Sequence, residues 1–123
     1  MRVGMGYDVH AFDDSRPLIL GGVEISKSGG LAGHSDADVV CHAVADALLG
    51  AAGLGDLGTH FPADAFPEGG SSLQILARTA ELLAEAGYTI VNVDATVVIQ
   101  NVRMAPHRQQ MASRVAEALG LGP

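Results

Sequence analysis

The chain predicts an α/β fold, more narrowly an α+β sandwich in which helices cover one face of a mixed β-sheet. Three observations carry that prediction. Val3–His10 and Tyr88–Gln100 alternate side-chain character with a period of two, as strands do. Three other stretches place apolar residues at helical spacing between recognisable caps. The resulting order, β-β-β-α-α-β-α, needs two packed layers. A length of 123 residues and 48% hydrophobic content suit one globular domain, 1–123.

In the first strand Val3, Met5, Tyr7 and Val9 share one face, and Gly4, Gly6, Asp8 and His10 the other. The glycines leave room beside the carboxylate and imidazole for an ion, at some cost to the strand. Pro17–Leu20 and Val23–Ile25 flank Gly21-Gly22, which fits a hairpin or a bulged bend. Gly29–Gly33 is a loop. Ser35, with Asp38 three residues on, is the expected N-cap of a first helix whose stripe is Val40, Ala43, Val44 and Ala47. The glycines of 50–58 stop that helix and lack both P-loop and dinucleotide spacing.

Thr59–Gly70, with Pro62 and Pro67, is expected to be an irregular loop. Ser71 and Gln74 make a capping box for a second helix with the stripe Leu73, Leu76, Ala77, Ala80, Leu83 and Ala84, ended by Gly87. Thr89, Val91, Val93, Ala95, Val97 and Ile99 form one face of a long central strand. Pro106 begins a third helix carrying Met111, Ala112, Val115 and Leu119, and Gly120 closes it.

The strand geometry aims Asp8 and His10 the same way. His42 lies off its helix's apolar stripe, between Asp38 and Asp46 at i−4 and i+4. Together Asp8, His10 and His42 would give zinc or a similar divalent ion three protein ligands and leave the fourth position open. Asp38 or Asp46 would orient the second nitrogen of His42. A surface ion pair is the other reading of His42.

Seven basic against fourteen acidic residues give a net charge of −7, which argues against a nucleic-acid partner. Arg103, His107, Arg108 and Arg114 could meet one phosphate group. The single Cys41 allows no intramolecular disulfide and reads as a small buried thiol. No secretory signal and no apolar run of ~20 residues is visible, so a membrane partner is not expected. The expected location is the cytoplasm, or a plastid after removal of an upstream transit peptide.

Taken together, Gly4–Phe12, Leu20–Val23, His34–Asp38, His42-Ala43, Asp46–Ala51, Leu54–Gly58, Phe61-Pro62, Gly87-Tyr88, Asn92–Asp94 and Met104–His107 resemble one family. It is the 2-C-methyl-D-erythritol 2,4-cyclodiphosphate synthase family of the methylerythritol phosphate (non-mevalonate) route to isoprenoids. The resemblance implies a homotrimer with active sites between subunits and zinc on Asp8, His10 and His42. It implies a lyase-class enzyme in which a 2-phosphate attacks the β-phosphorus of a cytidine diphosphate, releasing CMP and closing a cyclic diphosphate. A Mg2+ or Mn2+ ion would sit on the diphosphate.

By the same resemblance, His34, the expected catalytic residue, and Ser35 contact phosphate at a helix N-terminus. Asp8 and His10 lie against the substrate as well as the metal. Asp56, Leu57 and Gly58 hold the methylerythritol hydroxyls, and Phe61 and Asp64 line a flexible loop over the site. Ile99, Arg103, Met104 and Ala105 belong to the cytosine pocket of the adjacent subunit, with Arg103 where the family usually has lysine.

Two departures stand out. Ala63 precedes Asp64 where the family has Asp directly after Phe-Pro. The family's further strand, its Thr-Thr-x-Glu segment with the Mg2+-binding glutamate, and its final strand have no counterpart in the 123 residues, so an extension beyond Pro123 is expected. An inactive fragment, a metal- and isoprenoid-binding structural or regulatory trimer, and a metal-dependent phosphohydrolase are the alternatives.

Overall fold

The computed structural model describes residues 1–62, 64 and 69–122 and is a small α+β structure. Its elements are β1 (Phe12–Asp13), β2 (Leu18–Leu20), β3 (Val23–Ser26), β4 (Gly30–Leu31), α1 (Val39–Ala52), α2 (Leu57–His60), α3 (Ser72–Glu85), a 3-10 turn (Ala105–His107) and α4 (Arg108–Ala118). In place of one mixed sheet, the described residues form two antiparallel pairs, β1 with β4 and β2 with β3.

The expected hairpin is present, with Leu20 opposite Val23 and a register irregularity between Leu18 and Ile19. Gly21 and Gly22 take φ of 57° and 76°, the left-handed values a two-residue hairpin turn requires. Helices α1 and α3 bury one face each. Cys41, Val44, Leu48 and Leu49 of α1 meet Ile75, Leu76 and Leu83 of α3, and Leu119 closes the cluster after α4. A second cluster of Leu18, Leu20, Leu31, Ala37 and Val40 joins the strands to the start of α1.

Several boundaries differ from the sequence reading. The N-cap of α1 is Asp38 and not Ser35, because the Asp38 carboxylate accepts from the Cys41 amide. The start of the expected 59–70 loop is helical, since Asp56 caps a short turn through the Thr59 amide. Pro67 lies outside the described residues. Ser71 caps α3 as expected, but Ala77 and Ala84 are exposed, and the buried face is Ser72, Ile75, Leu76, Thr79 and Leu83.

The largest departure concerns the two expected strands. Neither Val3–His10 nor Thr89–Ile99 has a ladder partner among the described residues. Gly4–His10 and Val93–Gln100 instead line a groove of ≈ 580 Å³ floored by Val39, Val40, Ala43, Val44 and Ala47 of α1. The alternation nevertheless holds in the first segment. Gly4, Gly6, Asp8 and His10 are half-buried while Val3, Met5, Tyr7 and Val9 are exposed. In the second, Val93, Val97 and Ile99 are half-buried, whereas Val91 and Val98 are exposed.

The glycines of the first segment face helix backbone. A Cβ at Gly4 would lie 1.9 Å from the Ala47 carbonyl oxygen, and one at Gly6 would lie 1.8 Å from that of Ala43. Their role is therefore close approach to α1, and not the space beside an ion that the sequence suggested.

Candidate metal centre

Gly6 settles on the turn of α1 at Ala43, and the next two inward-facing residues of that extended segment are Asp8 and His10. The adjacent residue of the helix is His42. These three side chains, from two separate parts of the chain, form a group able to hold a metal ion. Asp8 Oδ2 lies 2.8 Å from His10 Nε2 and 3.2 Å from His42 Nδ1. The two imidazole nitrogens are 3.3 Å apart. A tetrahedral ion with bonds of about 2.05 Å spaces its ligand atoms about 3.3 Å apart, so the triangle is close to the required size. The carboxylate is 23% exposed and the imidazoles 13% and 14%, which leaves an approach from outside.

Hydrogen bonding selects the nitrogen that each ring offers. His10 Nδ1 lies 2.8 Å from the Ala32 carbonyl oxygen, which only accepts, so Nδ1 carries hydrogen and Nε2 faces the centre. On the other ring, His42 Nε2 lies 3.0 Å from Ser72 Oγ and 3.1 Å from Ser35 Oγ, leaving Nδ1 inward. In these tautomers two ring lone pairs and a carboxylate converge on one point, a donor set that suits a divalent cation.

The two aspartates nominated to orient His42 are engaged elsewhere. Asp38 is buried, accepting from the amides of Gly21 (2.9 Å), Gly22 (2.7 Å) and Cys41 (3.1 Å) and from the Cys41 thiol (3.2 Å). Burial raises its pKa above the usual carboxylate value, and these donors pull it back. The Cys41 thiol is pushed up, mainly by burial and then by Asp38, so it stays protonated, as expected of a structural cysteine. Asp46 accepts from the Leu57 amide at 2.8 Å, tying α2 to the ridge of α1 that carries His42. Sequence reasoning missed the real partners, the Ala32 carbonyl for His10 and the Ser72 and Ser35 hydroxyls for His42.

The other nominated residues divide into groups. His34 is exposed and Ser35 buried, in a loop that precedes α1 and does not start it. Arg16 pins this loop by donating to the carbonyls of Gly33 and Ser35. The Ser35 hydroxyl turns inward to His42 and the Ala37 amide. Asp56 is exposed, and hydrogen bonds from Thr59 hold its pKa below the usual range. Leu57 and Phe61 pack on the helical core. Gly58 lies within α2, Asp64 is exposed, and Ala63 is outside the described residues.

Ile99 and Met104 pack on the second apolar cluster, while Ala105 opens the 3-10 turn. Arg103 is exposed and lines a second cavity of ≈ 660 Å³ with Gln100, Asn101, Val102, Pro106 and His107. No helix among the described residues is long and apolar enough to cross a membrane.

Comparison with known proteins reaches the whole chain. The model of the YgbB family matches residues 1–123. A 2-C-methyl-D-erythritol 2,4-cyclodiphosphate synthase of Syntrophobacter fumaroxidans is 54% identical over 98% of this chain and 77% of its own length. The protein of the same name from Desulfatibacillum aliphaticivorans is 56% identical over 98% and 79%. Among solved structures, the bifunctional IspDF of Campylobacter jejuni superposes with a TM-score of 0.92 at 40% identity, covering 98% of this chain and 33% of that one. The CDP complex of Plasmodium falciparum IspF gives 0.82 at 32% identity, with 98% and 74% covered.

Proposed function

We infer the activity from one premise, that the chain belongs to the YgbB family. It is a lyase-class enzyme that converts 4-diphosphocytidyl-2-C-methyl-D-erythritol 2-phosphate to 2-C-methyl-D-erythritol 2,4-cyclodiphosphate and CMP. The observation that carries this reading is the convergence of Asp8, His10 and His42 at one edge of the groove, in a chain matched along its full length by relatives of that name.

The substrate's own 2-phosphate attacks the β-phosphorus, so the protein supplies no nucleophile. Its work is to bend the substrate, align the attack and balance charge. Asp8, His10 and His42 would hold zinc or a similar divalent ion, which when bound would supply Lewis acidity toward phosphate oxygens, and the diphosphate would call for Mg2+ or Mn2+ as well. Asp56, whose Oδ1 is fixed by the Thr59 amide and hydroxyl, offers its carboxylate to the methylerythritol hydroxyls beside the backbone of Leu57 and Gly58. His34 stands exposed on the loop that Arg16 pins and meets phosphate there. Arg103 and its cavity receive the cytidine end, with Ile99, Met104 and Ala105 shaping the wall.

A homotrimer with sites between subunits belongs to the same reading. Its support is the outward face of Val3, Met5, Tyr7 and Val9, which are 89%, 91%, 84% and 69% exposed. A cytoplasmic location accords with the bacterial relatives.

The test is incubation with the cytidylyl substrate, zinc and magnesium, followed by phosphorus NMR. CMP with a cyclic diphosphate is expected. A linear phosphate would mean hydrolysis, and an untouched substrate a binding module. Asp56→Ala is expected to retain zinc at wild-type stoichiometry while weakening substrate binding in calorimetry. Equal affinity would remove Asp56 from the hydroxyl site.

A further inference from the structure

We propose that Ser72 and Asp36 form a positioning pair that sets which ring nitrogen His42 presents to the metal. The inference rests on the metal-site reading above. Ser72, the first residue of α3, is completely buried, and Asp36 belongs to the loop before α1. The Asp36 carboxylate grips Ser72 twice, accepting from its amide through Oδ2 at 3.0 Å and from its hydroxyl through Oδ1 at 2.5 Å. A serine hydroxyl has one proton. With that proton committed to Asp36, Ser72 Oγ can only accept from His42 Nε2, 3.0 Å away. The ring hydrogen is thereby held on Nε2 and the Nδ1 lone pair directed at Asp8 and His10.

The arrangement is not a helix cap that happens to lie near a histidine. The cap of α3 is Ser71, whose hydroxyl accepts from the Leu73 amide. The amide of Ser72 has its own acceptor in Asp36. The hydroxyl of Ser72 is therefore free of any capping duty, and removing it leaves the backbone bonds of the helix start in place. Ser35 Oγ, 3.1 Å from His42 Nε2, is the competing acceptor, although it already accepts from the Ala37 amide at 3.2 Å.

The experiment measures zinc affinity by competition with a chelator, and the His42 tautomer by nitrogen NMR of the metal-free protein. Ser72→Ala is expected to weaken zinc about 10–100-fold, the usual effect of removing a partner that orients a ligand. It should also convert His42 from one tautomer, protonated at Nε2, to a mixture. Ser72→Thr, which keeps the hydroxyl, should restore most of the affinity. Asp36→Asn leaves one acceptor oxygen where Ser72 engages two, so it should move zinc affinity and the His42 tautomer in the same direction as Ser72→Ala, and it stands in if that variant fails to fold. Zinc affinity within about two-fold of wild type in Ser72→Ala with an unchanged tautomer would overturn the proposal, as would a loss confined to Ser35→Ala. If the wild-type chain binds no zinc, the proposed function fails. The tautomer of the metal-free protein would still judge the role of Ser72.

Discussion

Helix α1 carries two polar sites a single turn apart, and they are completed to different degrees. At its N-cap the Asp38 carboxylate is buried and receives four neutral donors from the hairpin and the helix. One turn on, His42 faces the Asp8 carboxylate and a second imidazole, with a path left open to solvent. The same residue type, aspartate, sits in both. Around Asp38 donors balance acceptors, so nothing more is needed and the site is structural. Around Asp8 Oδ2 the inward atoms of both rings gather on a carboxylate oxygen, so the site is shaped to take a cation. Counting donors against acceptors separates architecture from function more sharply than burial does.

The largest test of this contrast is His42→Ala. Two ligands on one extended segment cannot enclose a tetrahedral ion, so bound zinc should fall from one per chain to near none in metal analysis. Undiminished stoichiometry would break the assignment.

Gly6→Ala comes next. The new methyl would meet the Ala43 carbonyl at 1.8 Å, forcing the segment off the helix at a cost of about 1–3 kcal/mol. Both the melting temperature and the zinc affinity should drop. If neither moved, the glycine contact would not be what aligns Asp8 and His10.

Asp38→Asn should leave zinc binding alone and lower stability by about 1–3 kcal/mol, because its amide nitrogen must face an N–H donor. A pH series of melting curves sharpens the point. Because burial raises the folded-state pKa, the contribution of Asp38 is full below the ordinary value of 3.8 and is lost as pH rises through the folded value. Asparagine does not titrate, so the deficit of the variant should be largest at the acid end and narrow toward neutrality.

Much of this was legible in the residues. The alternation of Val3–His10 gave the correct inward face and set Asp8 and His10 side by side, and the position of His42 off its helix's apolar stripe nominated it as their third member. Caps and turns with a strictly local cause, such as Ser71 before α3 and Gly21-Gly22 in the hairpin, could also be read directly. What failed depended on partners distant in sequence. Asp38 is a cap because the hairpin amides of Gly21 and Gly22 arrive to share it. Ser72 meets His42 across thirty positions. Ala77 and Ala84 fit a helical stripe as well as Ile75 and Thr79 do, and only the placement of α1 decides between them. Alternation likewise establishes an extended segment without establishing a ladder, since a ladder needs a neighbour that periodicity does not describe.

Among the described residues Val3–His10 has no ladder partner, which would give a bound metal a second office. Glycine packing and a few side-chain bonds anchor this segment, and an ion shared by His10 and His42 would tie together points 32 positions apart. Such an ion acts as a removable cross-link. By the loop-entropy relation used for disulfides, a closure of that length is worth about 4 kcal/mol. The amino-terminal segment would then exchange its amide hydrogens and yield to proteases readily after chelation, and resist both once zinc is restored. Metal supply would thus govern the lifetime of the polypeptide as well as its chemistry.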